Sequence, residues 1–426
     1  MIRKYEIKID WLLWFLILLP IFYIFGEDVR NAQTDFFCFS VLVMLGLFHV
    51  NKYIGLLLLW FGFQVAILKM PIDATQLTNL FIGVLLYQFI VWFGYTQNLK
   101  KYLWALCGLL MFNILWIPLQ MYNVDPLWTS LNPDKQVMFS EYPGWFNLPA
   151  FLGNFCAVAL PFCMTLFWPM AIFAVVGLWF SKSTFSIVAA GLAFMAFFWF
   201  RKRLVFWLTL IFVVVGMGFY AKQDLQTGQF FRRLECWQKI TRHAFKSQFM
   251  GHGLGNYGNE FVVAETTPDH EFLEISKPEH IFVIAHDLAA RKGDAELVAL
   301  TKEMIGTKQY DFDKLQDAFQ AKGLDVMVWH EAHNEFLQVF NDGGLIALFL
   351  VGLYVFDVFR RFLNGGCQSL AGVCLFSAFI AILVISAGHF PFRLARLAGP
   401  FIAVLAFVEI HLKRCRKSAD ASFSCN

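Results

Sequence analysis

The sequence predicts an all-α polytopic membrane protein of about twelve transmembrane helices, with a large helical extracytoplasmic loop between spans nine and ten. Three observations predict it. Of the 426 residues, 58% are hydrophobic and only 15% charged, against about 25% charged in a soluble globular domain. Apolar runs long enough to cross a bilayer recur along almost the whole chain. The charges are also unevenly placed: residues 221–329 hold 16 of the 31 acidic and 13 of the 34 basic residues. That composition excludes a soluble protein, a disordered chain and a nucleic-acid binder.

The expected spans are Trp11–Phe25, Thr34–Val50, Tyr53–Leu68, Leu77–Tyr95, Tyr102–Pro118, Leu148–Phe167, Pro169–Phe180, Thr184–Phe200, Leu204–Tyr220, Glu335–Phe356, Gln368–Gly388 and Leu394–Leu412. They are read as helices because no strand-like alternation is visible, and backbone in lipid must satisfy its hydrogen bonds internally. Trp11–Phe25 lacks a small-x-small cleavage site and is read as a retained span, not a signal peptide. The chain thus divides into helices one to nine (1–220), a loop domain (221–329), helices ten to twelve (330–412) and a tail (413–426).

Lys and Arg orient the array. Arg3, Lys4, Lys8, Lys52, Lys100, Lys101, Arg201–Arg203, Arg360, Arg361 and the Lys413–Lys417 cluster fall on the side of both termini. That side is expected to be cytoplasmic, which puts the insertion outside. Pro169–Phe180 is the shortest span. Omitting it would turn Arg201–Arg203 outward, against the positive-inside tendency.

Within the insertion, Phe231–Phe245 has helical amphipathic spacing, expected either to rest on the outer membrane face or to cover the bundle. Glu279–Arg291, Asp294–Ile305 and Asp311–Ala321 read as short soluble helices, with Gly293, Gly306 and Gly323 as breakers. Cys236 is the only one of nine cysteines in the insertion. No disulfide framework or CxxC motif follows, and cysteine is expected to serve packing.

Two stretches carry candidate chemistry. Gly253, Gly255 and Gly258 meet the GxGxxG spacing, but a dinucleotide site needs a preceding strand and a following helix. Here the stretch follows an amphipathic helix, so a turn shaping the mouth of a site is expected. The second is Trp329-His330-Glu331-Ala332-His333-Asn334-Glu335. On a helix His330, His333 and Asn334 would share a face. The His-to-His spacing is three, where a zincin helix needs four, and no third ligand is fixed, so no metal is assigned. Polar groups gathered at a membrane boundary point instead to a site.

His333-Asn334, nine residues, then Gly344-Leu345-Ile346-Ala347, together with Arg233-x-x-x-Trp237 and Gly251-His252-Gly253-Leu254-Gly255-Asn256-Tyr257, resembles the signature of the O-antigen ligase and O-antigen polymerase superfamily. That superfamily also includes bacterial O-linked oligosaccharyltransferases. The motifs cover roughly Phe231–Gly352. Ala347 stands where members commonly have Gly, Thr or Tyr.

The resemblance implies a membrane glycosyltransferase of the bacterial inner membrane. It would move a glycan from a polyprenyl diphosphate carrier to a glycolipid or glycan acceptor on the extracytoplasmic face, with no cofactor or metal. It implies His333 as general base, a task suited to a near-neutral pKa. Arg233 is expected on the diphosphate, since guanidinium forks suit phosphate; the competing reading is an Arg snorkelling to lipid headgroups. Asn334 is expected to orient the acceptor or the His, with His330 a further substrate-binding candidate. Where the family has an outer-end Arg, this chain has Ser181-Lys182-Ser183-Thr184, which makes Lys182 the expected point charge toward phosphate. A lipid-linked glycan transporter is the competing class. It would show half-chain repeats or broken helix pairs, and no such repeat is visible.

Overall fold

The computed structural model describes residues 51–70, 73–94, 98–122, 124–125, 144, 146, 148–207, 210–211, 229–246, 249–255, 262–267, 271–275, 279–329, 333–367, 369–389, 391–393 and 395–423. The expected spans Trp11–Phe25 and Thr34–Val50 lie outside these residues, as do most of Leu204–Tyr220 and, among the site candidates, His330 with Glu331.

In chain order the elements are α1 (Lys52–Ala66), α2 (Ala74–Gly94), α3 (Leu99–Met121), α4 (Pro149–Leu166), α5 (Met170–Ser181), α6 (Thr184–Trp199), α7 (Gln229–Lys246), β1 (Val262–Thr267) and β2 (Glu271–Ile275). There follow α8 (His280–Lys292), α9 (Ala295–Thr307), α10 (Phe312–Gln320), β3 (Asp325–Trp329), α11 (Glu335–Arg361), a π turn at Phe362–Gly366, α12 (Leu370–Gly388), a short 3-10 turn and α13 (Ala395–Phe423). Helix dominates, and where a span and a helix can be compared their ends agree within a few residues, except at the C-terminal ends of α11 and α13. Among the described residues four helices are long and apolar enough to cross a membrane: Leu99–Met121, Pro149–Leu166, Glu335–Gly365 and Leu370–Gly388. Shorter apolar helices accompany them, and the protein is membrane-embedded in character. The last helix runs on through the expected tail to Phe423.

The described residues divide into two units, one drawn from within Met1–Gly55, Thr78–Phe219 and Val351–Asn426, the other from within Leu56–Leu77 and Tyr220–Leu350. In the first, α4 is the hub, enclosed by α3, α5, α6 and α12. Small residues permit that closeness. A Cβ on Gly177 of α5 would overlap the Cys156 sulfur of α4 and lie 2.6 Å from Ile114 of α3. Large apolar side chains such as Ile172, Val175 and Trp179 face outward, as lipid contact requires. At the end of α11, Arg361 forks onto Glu409 of α13 (3.2 and 2.8 Å) and reaches Asp357 (3.0 Å).

The second unit is built around a three-stranded antiparallel sheet in the order β2-β1-β3. This corrects the expectation of a purely helical insertion. The central strand β1 is covered on both faces, which removes the alternation that marks a half-exposed strand. One face, with Val263 and Glu265, meets α7: Val263 packs with Cys236 and Ile240, and Glu265 pairs with Arg232 at 3.0 Å. The other face puts Ala264 into the core of α8, α9 and α10, among Phe282, Leu288, Leu297 and Phe319. The amphipathic α7 therefore buries its apolar stripe on the sheet and on Leu337.

Capping residues set the helical layer. Gly293, at φ +71°, ends α8, and Asp294 accepts the Glu296 and Leu297 amides to start α9. Asp311 does the same for α10. Gly306, expected as a breaker, lies inside α9, and the left-handed residue that ends it is Lys308.

Candidate functional site

His333 and Asn334 lie between β3 and α11, just before the helix begins. Val263 pairs with Trp329 at the end of β3, and α11 begins at Glu335. His333 therefore stands in a turn between strand and helix, not on a helix with Asn334, which corrects the shared-face expectation. Its φ is +49°, a left-handed conformation in which a non-glycine residue is uncommon. Asn334 is the helix cap: its Oδ1 accepts the Leu337 N–H at 3.0 Å, and its carbonyl accepts Gln338 N–H at 3.0 Å. That capping accounts for an Asn at this position without a substrate.

His333 is half-buried, and burial first, then the charge of Arg233, pushes its pKa down to about 4. The charge of Arg233, one hundred positions earlier in the chain, thus acts on the ring. It also changes the expected chemistry, because the ring is neutral at neutral pH but a weaker base than an ordinary imidazole. The neighbouring Arg232 belongs elsewhere: it neutralises Glu265, which is 1% exposed. Lys182 lies in the other unit, exposed at the left-handed turn that ends α5, just before Ser183 caps α6.

The glycine-rich turn has a role that its sequence does not announce. Helix α11 is kinked at Gly344 (φ +69°, ψ −167°), in a backbone region that is essentially glycine-only. The kink frees carbonyls of the preceding turn, and residues 249–255 take them. His252 N–H donates to Asn341 O (2.8 Å), Gly253 N–H to Asp342 O (3.0 Å) and Gly255 N–H to Asp342 Oδ2 (3.2 Å). From α1, Trp60 Nε1–H donates to Gly343 O at 2.7 Å, and Gln64 Nε2–H bonds Met250 O and, at 3.3 Å, Asp342 O. Asp73 N–H reaches Leu254 O at 2.9 Å.

Backbone that leaves helical geometry near a membrane must be satisfied by protein, and this clasp satisfies it. The amides of His252, Gly253 and Gly255 are consumed in doing so. They are not offered to a phosphate. The buried Gln338, Asn341 and Asp342 that build the clasp were not singled out from sequence. Their signal was there: amide and carboxylate side chains inside an apolar span are costly and rarely idle.

No known protein family matches the chain, and no curated protein matches it significantly. Among the described residues no three His, Cys, Asp or Glu side chains gather as a metal-ligand set.

Proposed function

We propose that the protein is a membrane glycosyltransferase of the O-antigen ligase type. It takes a glycan from a polyprenyl diphosphate carrier and joins it to an acceptor hydroxyl on the extracytoplasmic face of the bacterial inner membrane. The reading includes twelve spans, both termini in the cytoplasm, and membership of the ligase and polymerase superfamily. What supports it most is the placement of His333: a left-handed turn at the start of an apolar helix, where the charge of Arg233 adds to burial in lowering the pKa of the ring.

The acceptor oxygen attacks the anomeric carbon, and the bond from that carbon to the phosphate oxygen breaks. The hydroxyl proton passes to His333, and the electron pair leaves with the diphosphate. Arg233 meets the charge that develops on that leaving group. The two roles support each other. A diphosphate on Arg233 offsets the positive field that weakens His333 as a base, so donor binding raises the basicity of the ring. A role for Lys182 as a point charge toward phosphate rests on the sequence resemblance alone. Asn334 shapes the turn that carries His333.

Replacing His333 by Ala tests the reading. Glycan transfer from a polyprenyl diphosphate donor should be lost while the variant still inserts and still binds donor. Transfer at the wild-type rate would refute it. A ligase, a repeat polymerase and a protein O-oligosaccharyltransferase differ only in the acceptor, so the molecule found glycosylated in cells decides among them. A lipid-linked glycan transporter would instead move donor across vesicles irrespective of His333.

A further inference from the structure

Helices α7 and α11 carry the two halves of the proposed site, Arg233 in the first turns of α7 and His333 just before α11. They are joined near the site and again at the far end of α7, where Phe245 also packs edge-on against Phe340 (centroids 5.1 Å). Near the site the join is apolar, Cys236 and Ile240 against Leu337 and Val263. Apolar burial is non-directional, and the directional tie beside Arg233, the pairing of Arg232 with Glu265, holds α7 to β1 and not to α11. The second join lies at the far end of α7. There the 251–255 turn is tied to α7 by the stacking of His252 on His243 (centroids 4.2 Å, 19° between planes), with His252 Nε2 3.2 Å from His243 O. The same turn is tied to α11 by hydrogen bonds, which have direction, and most of those pass through one residue.

Asp342 is 1% exposed. Its carbonyl accepts from Gly253 N and Gln64 Nε2, its Oδ2 from Gly255 N, and its Oδ1 from Gln338 Nε2 (3.1 Å) and Asn341 Nδ2 (3.4 Å). N–H donors therefore approach both carboxylate oxygens. A carboxylate, which only accepts, answers them all. An amide in its place would turn an N–H toward another donor on one side or the other.

We infer that Asp342 is a positioning residue: it clamps the Gly251–Gly255 turn to the kink of α11 and so fixes the register of α7, and with it Arg233, against His333. The inference rests on the proposed roles of Arg233 and His333 as the working pair. Asp342 touches no substrate in this scheme, and it acts through the turn and α7.

The test uses the full-length protein in lipid nanodiscs with three forms: wild type, Asp342→Asn, and Asp342→Asn combined with Gln338→Glu. The double variant exchanges donor and acceptor across the Gln338–Asp342 bond and so restores that pair, and a turn of the Asn341 amide brings its oxygen to the second N–H of the new side chain. Two quantities are read. One is amide hydrogen exchange of a peptide spanning 251–255, with peptides of α9 and α12 as references. The other is the pH dependence of carbethoxylation of His333, followed by mass spectrometry, which needs no transfer activity.

Asp342→Asn should speed exchange in 251–255 by about tenfold, the value of one hydrogen bond. It should also move the His333 titration upward as Arg233 draws away, and the double variant should reverse both. The inference is overturned if the turn loosens while the His333 titration stays fixed, since the clasp then holds only itself. It is equally overturned if exchange rises alike in α9 and α12, or if the double variant restores neither quantity. If the single variant does not fold, the double variant must still fold and show both wild-type values. Retained transfer by His333→Ala would refute the proposed reaction and leave these two readouts as they are.

Discussion

Gly251 and Gly344 face each other so closely that a Cβ on Gly344 would lie 2.5 Å from the Gly251 amide nitrogen, and one on Gly251 would overlap the Gly344 amide in return. Both have positive φ. The contact is backbone against backbone, so no flexible side chain is there to yield. Gly344→Ala should therefore cost more than the roughly 1–3 kcal/mol of a strained dihedral alone. The melting temperature of the purified protein measures it. Gly352→Ala, with nothing within 4 Å of its added carbon, should leave that temperature unchanged or slightly raised.

The pH dependence of transfer follows from His333. With its pKa pushed down to about 4 by burial and by Arg233, the ring stays neutral well below the ordinary value near 6.5. The acid limb of kcat/KM should therefore fall near pH 4. Arg233→Gln should shift that limb upward by part of the difference, because burial is the larger cause. For stability the sign is the same in direction. The unfolded chain binds the extra proton between about pH 6.5 and pH 4, so His333 withdraws stability as pH falls through that window. A limb at pH 6.5 in the wild type would contradict the burial of the ring.

Arg232 and Arg233 are adjacent in sequence and should separate cleanly in experiment. Arg232→Met leaves Glu265 buried without its cation, which costs roughly 3–5 kcal/mol and should appear as a large fall in melting temperature. Arg232→Met with Glu265→Leu should recover much of it. Arg233→Gln should weaken donor binding, measured by binding of a short polyprenyl diphosphate.

Asn334 has a structural task that can be subtracted from any role with substrate. Asn334→Ala removes the cap on Leu337 N–H and should cost about 1 kcal/mol, while Asn334→Ser should keep most of it. If both variants lose transfer in proportion to stability alone, capping is the whole of its contribution.

The orientation of the second unit can be read with thiol chemistry, though not at the native thiol. Cys236 is fully buried and its pKa is pushed up to about 12, by burial first and Glu265 second, so it should not react while the protein is folded. Gln309→Cys places a thiol in the exposed segment after α9. An impermeant maleimide should label it in cells with a permeabilised outer membrane, before lysis.

The apolar helices were legible because length and hydropathy are written in consecutive residues. The sheet was not. In Val262–Thr267 the alternation is masked by burial on both faces, and Glu265 looks solvent-exposed until Arg232 is placed beside it. With β3 missed, nothing in the sequence marked the turn before Glu335 in which His333 stands. Gly344 was visible as part of a motif, but its reason lies at Phe249 and Gly251, nearly a hundred residues earlier. Asp342, inside an apolar span, was passed over because the turn amides it holds lie some ninety residues earlier in the chain.

The pairing of Arg361 with Glu409 has a consequence for how the chain is made. The cation that closes α11 is synthesised 48 residues before the carboxylate that forks it. Until then Asp357, four residues back, is its only countercharge within that group. Arrival of α13 thus completes neutralisation at the end of α11. A chain terminated before Glu409 would keep α11 apolar enough to insert, yet leave Arg361 without the fork that α13 supplies.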